Sequence, residues 1–210
     1  MRIGVSQRVE VIASYGERRD CLDQQWNNLL ISCGITPVPI PNGIKDLDYW
    51  FKKLNIVGFI LTGGNDLSFL PDASNPAPER DKTEKQILRY AKKNRLPVLG
   101  VCRGFQMMNV FLNGQISPVN NHVATRHQLI SVSNEEIFGR YNNVNSFHNW
   151  GSKKSDISNQ VIINLLAKED ETVEAVTHKI LPWIGVMWHP ERENPFKSED
   201  VNLIKHLFHD

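Results

Sequence analysis

The sequence predicts an α/β fold, with a mostly parallel sheet covered by helices on both faces. Three observations predict it. Val57 to Leu61 and Pro97 to Val101 are short, continuously apolar runs bounded by turn residues, the pattern of strands buried on both faces. Longer stretches of helical periodicity lie between such runs, so strand and helix alternate through the first two-thirds of the chain. The last third changes to shorter, closely spaced runs, several of them reading as antiparallel strands.

In order, residues 2–6 read as a strand and residues 20–33 as a helix with Leu22, Trp26, Leu29 and Leu30 on one face. Asp20 is positioned to cap that helix and Gly34 to end it. Residues 36–40 form a short strand punctuated by prolines, residues 47–54 a helix and residues 57–61 a strand, followed by the turn Thr62-Gly63-Gly64-Asn65-Asp66. Residues 71–80, rich in Pro, Asn and Asp, read as a surface loop. A charged amphipathic helix follows at 81–94, then a buried strand at 97–101 and a helix at 105–112. The later strands fall at 129–133, 161–166, 173–177 and 182–187, and a closing helix at 199–208. No repeat, low-complexity segment or linker divides the chain, so all 210 residues are expected to form one domain.

Composition narrows the function classes. A formal net charge of +1 provides no bulk field for nucleic acid or an acidic membrane. No stretch approaches the roughly 18 apolar residues of a spanning helix, and Met1 leads almost at once into the strand Ile3-Gly4-Val5 rather than a secretory leader. The cysteines are Cys21, Cys33 and Cys102; an odd count without paired spacing points to a reducing, cytoplasmic compartment, and no CxxC pair suggests structural zinc. No cofactor or metal is expected from these features.

The chemistry centres on Gly100-Val101-Cys102-Arg103-Gly104, set between a strand and a helix. This is the cysteine version of a nucleophile elbow, in which a sharp turn exposes the reactive side chain and small flanking residues avoid collision with neighbouring elements. At a helix N-terminus, unpaired N–H groups and the helix dipole favour thiolate over thiol. Such a nucleophile needs a histidine to move the proton. His189 follows an apolar strand in Gly185-Val186-Met187-Trp188-His189-Pro190-Glu191, and Glu191 is placed to orient its ring. On local sequence alone His148 competes for the role; His122, His127, His178, His206 and His209 have no comparable context. For the oxyanion, the elbow offers the N–H of Arg103, and the glycine pair after Leu61-Thr62 offers that of Gly64. Both loops are expected at the carboxyl edge of the sheet.

Four segments together resemble class I glutamine amidotransferase-like proteins, with the γ-glutamyl hydrolases the nearest branch: Gly100 to Gln106, Leu61 to Asp66, Val144-Asn145-Ser146-Phe147-His148 and Gly185 to Glu191. The resemblance spans nearly the whole chain. It implies a flavodoxin-like three-layer α/β/α sandwich with a mostly parallel central sheet and a smaller antiparallel sheet. It implies a Cys102-His189-Glu191 triad, an oxyanion hole at Gly64 and Arg103, and a γ-glutamyl thioester intermediate. The glutamyl group would be held by Gln106 and the backbone around Ser146 and Phe147, with His148 beside them. Met187 departs from the Gln common in the family, a change that a packing role absorbs.

Residues 15–26 further resemble a small subgroup acting on γ-glutamyl-CDP-amidates, releasing glutamate and a cytidine diphosphoramidate for capsule modification. Arg8, Arg18 and Arg19, in the expected loop after the first strand, are placed to contact such a diphosphate, with the alternative that Arg18 and Arg19 are solvated charges at a helix start. Arg80, Asp81 and Glu84 either pair within a helix or face the site. The resemblance implies a small-molecule γ-glutamyl substrate. Its alternatives are a γ-glutamyl-amine hydrolase and a glutaminase subunit delivering ammonia to a partner synthetase; a protein partner belongs only to the latter. No phosphate-binding Gly-x-x-x-x-Gly-Lys loop is visible for ATP coupling within this chain.

Overall fold

In a computed structural model, which describes residues 1–209, a nine-stranded sheet runs through the molecule. The elements in chain order are β1 (Arg2–Ser6), β2 (Arg8–Ile12), β3 (Glu17–Cys21), α1 (Gln24–Ser32), β4 (Thr36–Ile40), α2 (Leu47–Lys53), β5 (Ile56–Leu61), α3 (Pro78–Asn94), β6 (Val98–Val101) and α4 (Arg103–Phe111). Then come β7 (Ser117–Pro118), β8 (Val123–Ser131), β9 (Asn143–Phe147), β10 (Trp150–Gly151), β11 (Val161–Ala167), β12 (Val173–His178), β13 (Trp183–Val186) and α5 (Ser198–His209), with short 3-10 turns at Glu136–Phe138, Lys154–Asp156 and Pro190–Arg192.

The sheet order is β4-β1-β5-β6-β13-β12-β11-β8-β9. Strands β4 to β13 are parallel. From β13 onwards the pairs are antiparallel, so the later strands extend the main sheet. The smaller antiparallel pairs are β2–β3 and β7–β10. Alternation along the buried strands divides the core into two layers: Phe59 and Leu61 of β5 face α2, α3 and α4, while Ile60 faces α1 and α5. This is the expected three-layer sandwich. Met187 lies fully buried in the layer of α4, the packing role anticipated for it. No helix among the described residues is long and apolar enough to cross a membrane.

Three boundaries differ from expectation. Residues 8–21, expected as a loop running into a helix, form the hairpin β2–β3. Helix α1 therefore starts at Gln24, capped by Asp23, whose side chain accepts from Gln25 N at 2.9 Å. Asp20 instead accepts from Asn42 N at 2.9 Å, tying β3 to the loop after β4. Helix α3 begins at Pro78, where a proline at the first position costs no hydrogen bond, so Arg80 is helical. The strand placed at 129–133 is the longer β8, and β9, which carries Ser146 and Phe147, was not separately recognised.

Candidate active site

Three adjacent parallel strands deliver the candidate catalytic residues. β5, β6 and β13 pair side by side, through Leu61 with Gly100 and Val101 with Val186. Their carboxyl ends lead into Thr62-Gly63-Gly64, Cys102 and Trp188-His189. The convergence is a property of the sheet, since the three segments are far apart in sequence.

Cys102 occupies the turn between β6 and α4 at φ +51°, ψ −108°, and its N–H donates to Val186 O at 2.8 Å. A non-glycine residue held at positive φ costs on the order of 1–3 kcal/mol, so the surrounding structure must enforce it. Close packing of β5 against the elbow is part of that enforcement. A Cβ at Gly104 would lie 2.0 Å from Leu61 O, which makes glycine obligatory there.

His189 has Cys102 as an electrostatic neighbour, and its Nδ1 bonds to Glu191 Oε1 at 2.7 Å. Cys102, His189 and Glu191 are all buried. A Cβ at Gly63 would come within 2.4 Å of His189 Cε1, so this glycine lets the ring close over the turn. Burial by itself would lower the His189 pKa. The opposing Cys102 and Glu191, by charge and hydrogen bonding, raise it to about 9. The imidazolium is thus fully retained below its ordinary pKa of about 6.5 and is lost only as pH rises through the native value. Turnover is expected to fall on the alkaline side with an apparent pKa near 9, and Glu191→Gln is expected to move that limb towards neutrality. A pH profile of kcat/KM with the same alkaline limb in both proteins would contradict this assignment.

Asn145, whose side chain no local pattern singles out, clamps the backbone of His189. Its Oδ1 accepts from His189 N at 2.8 Å and its Nδ2 donates to His189 O at 2.9 Å. Trp188 is anchored too: its Nε1 donates to Asp200 Oδ1 at 2.9 Å, an acceptor shared with Tyr141. The candidate base is therefore held on both sides.

The expected oxyanion donors lie on the neighbouring loops. Arg103 is the first residue of α4, where the helix offers its N–H no intrahelical acceptor. The Arg103 side chain turns away into a buried four-charge network, pairing with Glu84 and Asp81. Glu84 also accepts from Arg80 Nε at 2.9 Å and from Ser6 Oγ at 2.8 Å. Fully buried Arg80 in turn donates to Thr62 O at 2.6 Å, to Gly63 O at 3.1 Å and to Gly64 O. Ser6 Oγ receives Thr62 N–H at 3.0 Å. The alternative left open for Arg80, Asp81 and Glu84 is thus decided: they pair, and the pairing joins both candidate oxyanion loops. Burial lowers the Arg80 pKa, as does nearby Arg103, while Glu84 opposes, leaving it at about 10.

The expected substrate contacts divide. Gln106 is buried and its Nε2 donates to Trp150 O at 2.7 Å. Ser146 Oγ donates to His122 O at 2.7 Å. Phe147 is half exposed, edge-on to His189 with ring centroids 5.8 Å apart and with the Arg192 guanidinium over its other side at 4.5 Å. His148 is buried and grouped with His122, His127 and Glu174. Of the three arginines, Arg8 lies at the site: it lines a narrow cleft with Trp26, Thr62, Gly63, His189 and Glu191. Asn65 holds its strand there through paired bonds with Val9, 2.8 Å to N and 2.9 Å to O. Arg18 pairs with Glu79, and Arg19 with Glu17 at 2.6 Å, on the exposed hairpin.

A cysteine on a strand–helix elbow, with a carboxylate-oriented histidine from an adjacent strand end, defines the glutamine amidotransferase-like class of α/β proteins. The chain belongs to the peptidase C26 family, whose pattern matches residues 3–191, and so to the γ-glutamyl hydrolase branch of that class. It is 35% identical over 211 aligned positions to the gamma-glutamyl-CDP-amidate hydrolase of Campylobacter jejuni subsp. jejuni serotype O:2, covering 99% of this chain and 98% of that one. It is 23% identical to the gamma-glutamyl-gamma-aminobutyrate hydrolase of Escherichia coli O157:H7, over 92% of this chain and 85% of the relative. Among solved structures, a glutamine amidotransferase from Thermotoga maritima superposes with a TM-score of 0.67 at 15% identity, covering 98% of this chain and 82% of the other, a likeness of fold.

Proposed function

We propose that the protein is a cysteine-dependent hydrolase of γ-glutamyl amides, and that its substrate is a nucleotide-linked one, a γ-glutamyl-CDP-amidate cleaved to glutamate and cytidine diphosphoramidate. The observation that carries the chemistry is the meeting at the elbow of Cys102 with His189, whose Nδ1 bonds to Glu191 Oε1 at 2.7 Å. Cys102 passes its thiol proton to His189 and Sγ attacks the γ-carbonyl carbon, and the developing oxyanion is met by the N–H groups of Gly64 and Arg103. His189 gives its proton to the departing nitrogen as the C–N bond breaks, leaving a γ-glutamyl thioester. His189 then takes a proton from water, which attacks the thioester carbon; glutamate leaves and the thiol is restored.

The nucleotide reading rests on the near full-length similarity to the Campylobacter jejuni relative and on Arg8 beside the cleft, a cation for a diphosphate oxygen. A product phosphoramidate would then serve capsule modification. The test is glutamate release by the pure protein from a panel comprising γ-glutamyl-CDP-amidate, γ-glutamyl-γ-aminobutyrate, a folyl γ-glutamate and glutamine. The expected result is the highest kcat/KM on the nucleotide amidate without any added protein. A higher value on an amine or folate conjugate would replace the proposed substrate. Hydrolysis of glutamine alone, and only with a partner synthetase present, would replace the function.

A further inference from the structure

Four buried side chains converge without satisfying one another. His122, His127, His148 and Glu174 are 2%, 4%, 4% and 0% exposed, and one ligand atom from each lies within 4.8 Å of all the others. His122 Nδ1 and His148 Nε2 both stand 3.7 Å from Glu174 Oε1, too far for a hydrogen bond. His122 Nδ1, His127 Nε2, both nitrogens of His148 and both oxygens of Glu174 have no hydrogen-bond partner among the described residues. A fully buried carboxylate with no donor costs several kcal/mol, and so large a group of orphaned atoms at one point is not a feature that folding tolerates unaided.

We propose that these four residues bind a single divalent transition-metal ion, with zinc the best match, in a closed structural site. Imidazole nitrogens and a carboxylate are the donors zinc takes, and four protein ligands fill a tetrahedral shell. At zinc–ligand distances of about 2.0–2.1 Å, tetrahedral ligand atoms stand roughly 3.4 Å apart; two of the separations here are 3.7 Å and all lie within 4.8 Å, so a modest inward movement closes the shell. A second shell is also built. His122 Nε2 faces Asp170 Oδ2 at 2.9 Å, which leaves Nδ1 bare and pointed at Glu174. Asp170 is fixed in turn by Thr172, whose Oγ1 donates to it at 2.8 Å. A carboxylate behind a ligating histidine sets the tautomer and raises its basicity.

The backbone is shaped for the same end. Residues five apart on a regular strand point to opposite faces, so His122 and His127 would diverge. The register of β8 against β9 slips between Val123 and Thr125, and Ala124 sits at φ +54°. This one-residue bulge restores parity and brings the two rings to a centroid separation of 4.1 Å. His148 follows β9, which carries Ser146 and Phe147, and Glu174 O accepts from Met187 N at 2.8 Å, two residues before His189. The ion would therefore fasten together strands that frame the candidate active site. It takes no part in the thioester chemistry.

The test uses the full chain without a histidine tag, in a Cys102→Ala background so that the candidate nucleophile cannot supply a competing thiolate. The protein is stripped with dipicolinate, supplied with zinc, passed through a metal-free column and analysed for metal. About one equivalent of zinc per chain is expected, with a Tm rise that saturates at that ratio. Glu174→Gln and His127→Ala are each expected to cut retained zinc at least about tenfold. Cobalt substitution of the unmutated cluster gives a second readout that does not depend on the variants folding: a four-coordinate visible spectrum is expected. Less than about a tenth of an equivalent bound from zinc, cobalt, nickel or manganese, with no change in Tm, would overturn the proposal. So would full retention of zinc by both variants. None of these readouts depends on which γ-glutamyl amide is hydrolysed.

Discussion

Cys102→Ala is expected to lower kcat/KM for a γ-glutamyl substrate by at least about 10⁴-fold, because loss of the nucleophile leaves only binding and oxyanion stabilisation. The geometry makes this a clean test. Alanine fits the space of cysteine, and the backbone strain at φ +51° is borne equally by both residues. The N–H to Val186 O bond and the packing of Gly104 on Leu61 do not depend on the sulfur. Stability is therefore expected to stay within about 1 kcal/mol of the parent, so lost turnover reports chemistry rather than unfolding. Glutamate release measured across a substrate range that gives both kcat and kcat/KM checks it. A variant retaining more than about a tenth of the parental turnover would remove Cys102 from the mechanism. The loss of a covalent γ-glutamyl adduct on acid quenching provides a parallel reading.

The largest effect on stability is expected from Glu84→Ala, a loss of about 3–5 kcal/mol, the usual consequence of removing one partner from a buried ion pair. Glu84 is fully buried and receives Ser6, Arg80 and Arg103. Without it, two guanidinium groups remain in the core with Asp81 as their nearby carboxylate. Urea unfolding at constant m-value measures the change. Burial pushes the Glu84 carboxyl up, but Arg103, Arg80 and the hydrogen bonds outweigh it and hold the pKa below the usual carboxylate range. A depressed carboxylate contributes its stability in full above its unfolded value of about 4.3 and loses it as pH falls through the native value. The acid limb of the stability curve should accordingly be shallower in Glu84→Ala than in the parent. A destabilisation below about 1 kcal/mol would show that the candidate oxyanion loops hold their shape without this network.

Much of the sheet was legible in the sequence, for a local reason. β1, β5 and β6 are short apolar runs bounded by turn residues, and the elbow is marked within five residues by two glycines around a cysteine. The hairpin β2–β3 was not legible because its outer strand reads Glu-Arg-Arg-Asp-Cys, with no apolar alternation. What makes it a strand is pairing with β2, and what holds β2 in place is the Asn65 side chain from beyond β5. The same applies to Asn145, whose two bonds to His189 cross 44 positions of chain.

By itself, then, the sequence determined the α/β alternation, the elbow around Cys102, and His189 and Glu191 at the end of an apolar run. Each is written in a stretch of a few residues, where backbone geometry and side-chain size are local constraints. Only the tertiary structure decided which charges meet. It set Arg80, Asp81, Glu84 and Arg103 into one network behind the oxyanion loops, put Arg8 rather than Arg18 or Arg19 at the cleft, and gathered three histidines with Glu174. The physical reason is that these contacts join segments separated by tens of residues, and that a single-residue bulge such as the one at Ala124 reverses the face on which every later side chain of its strand points.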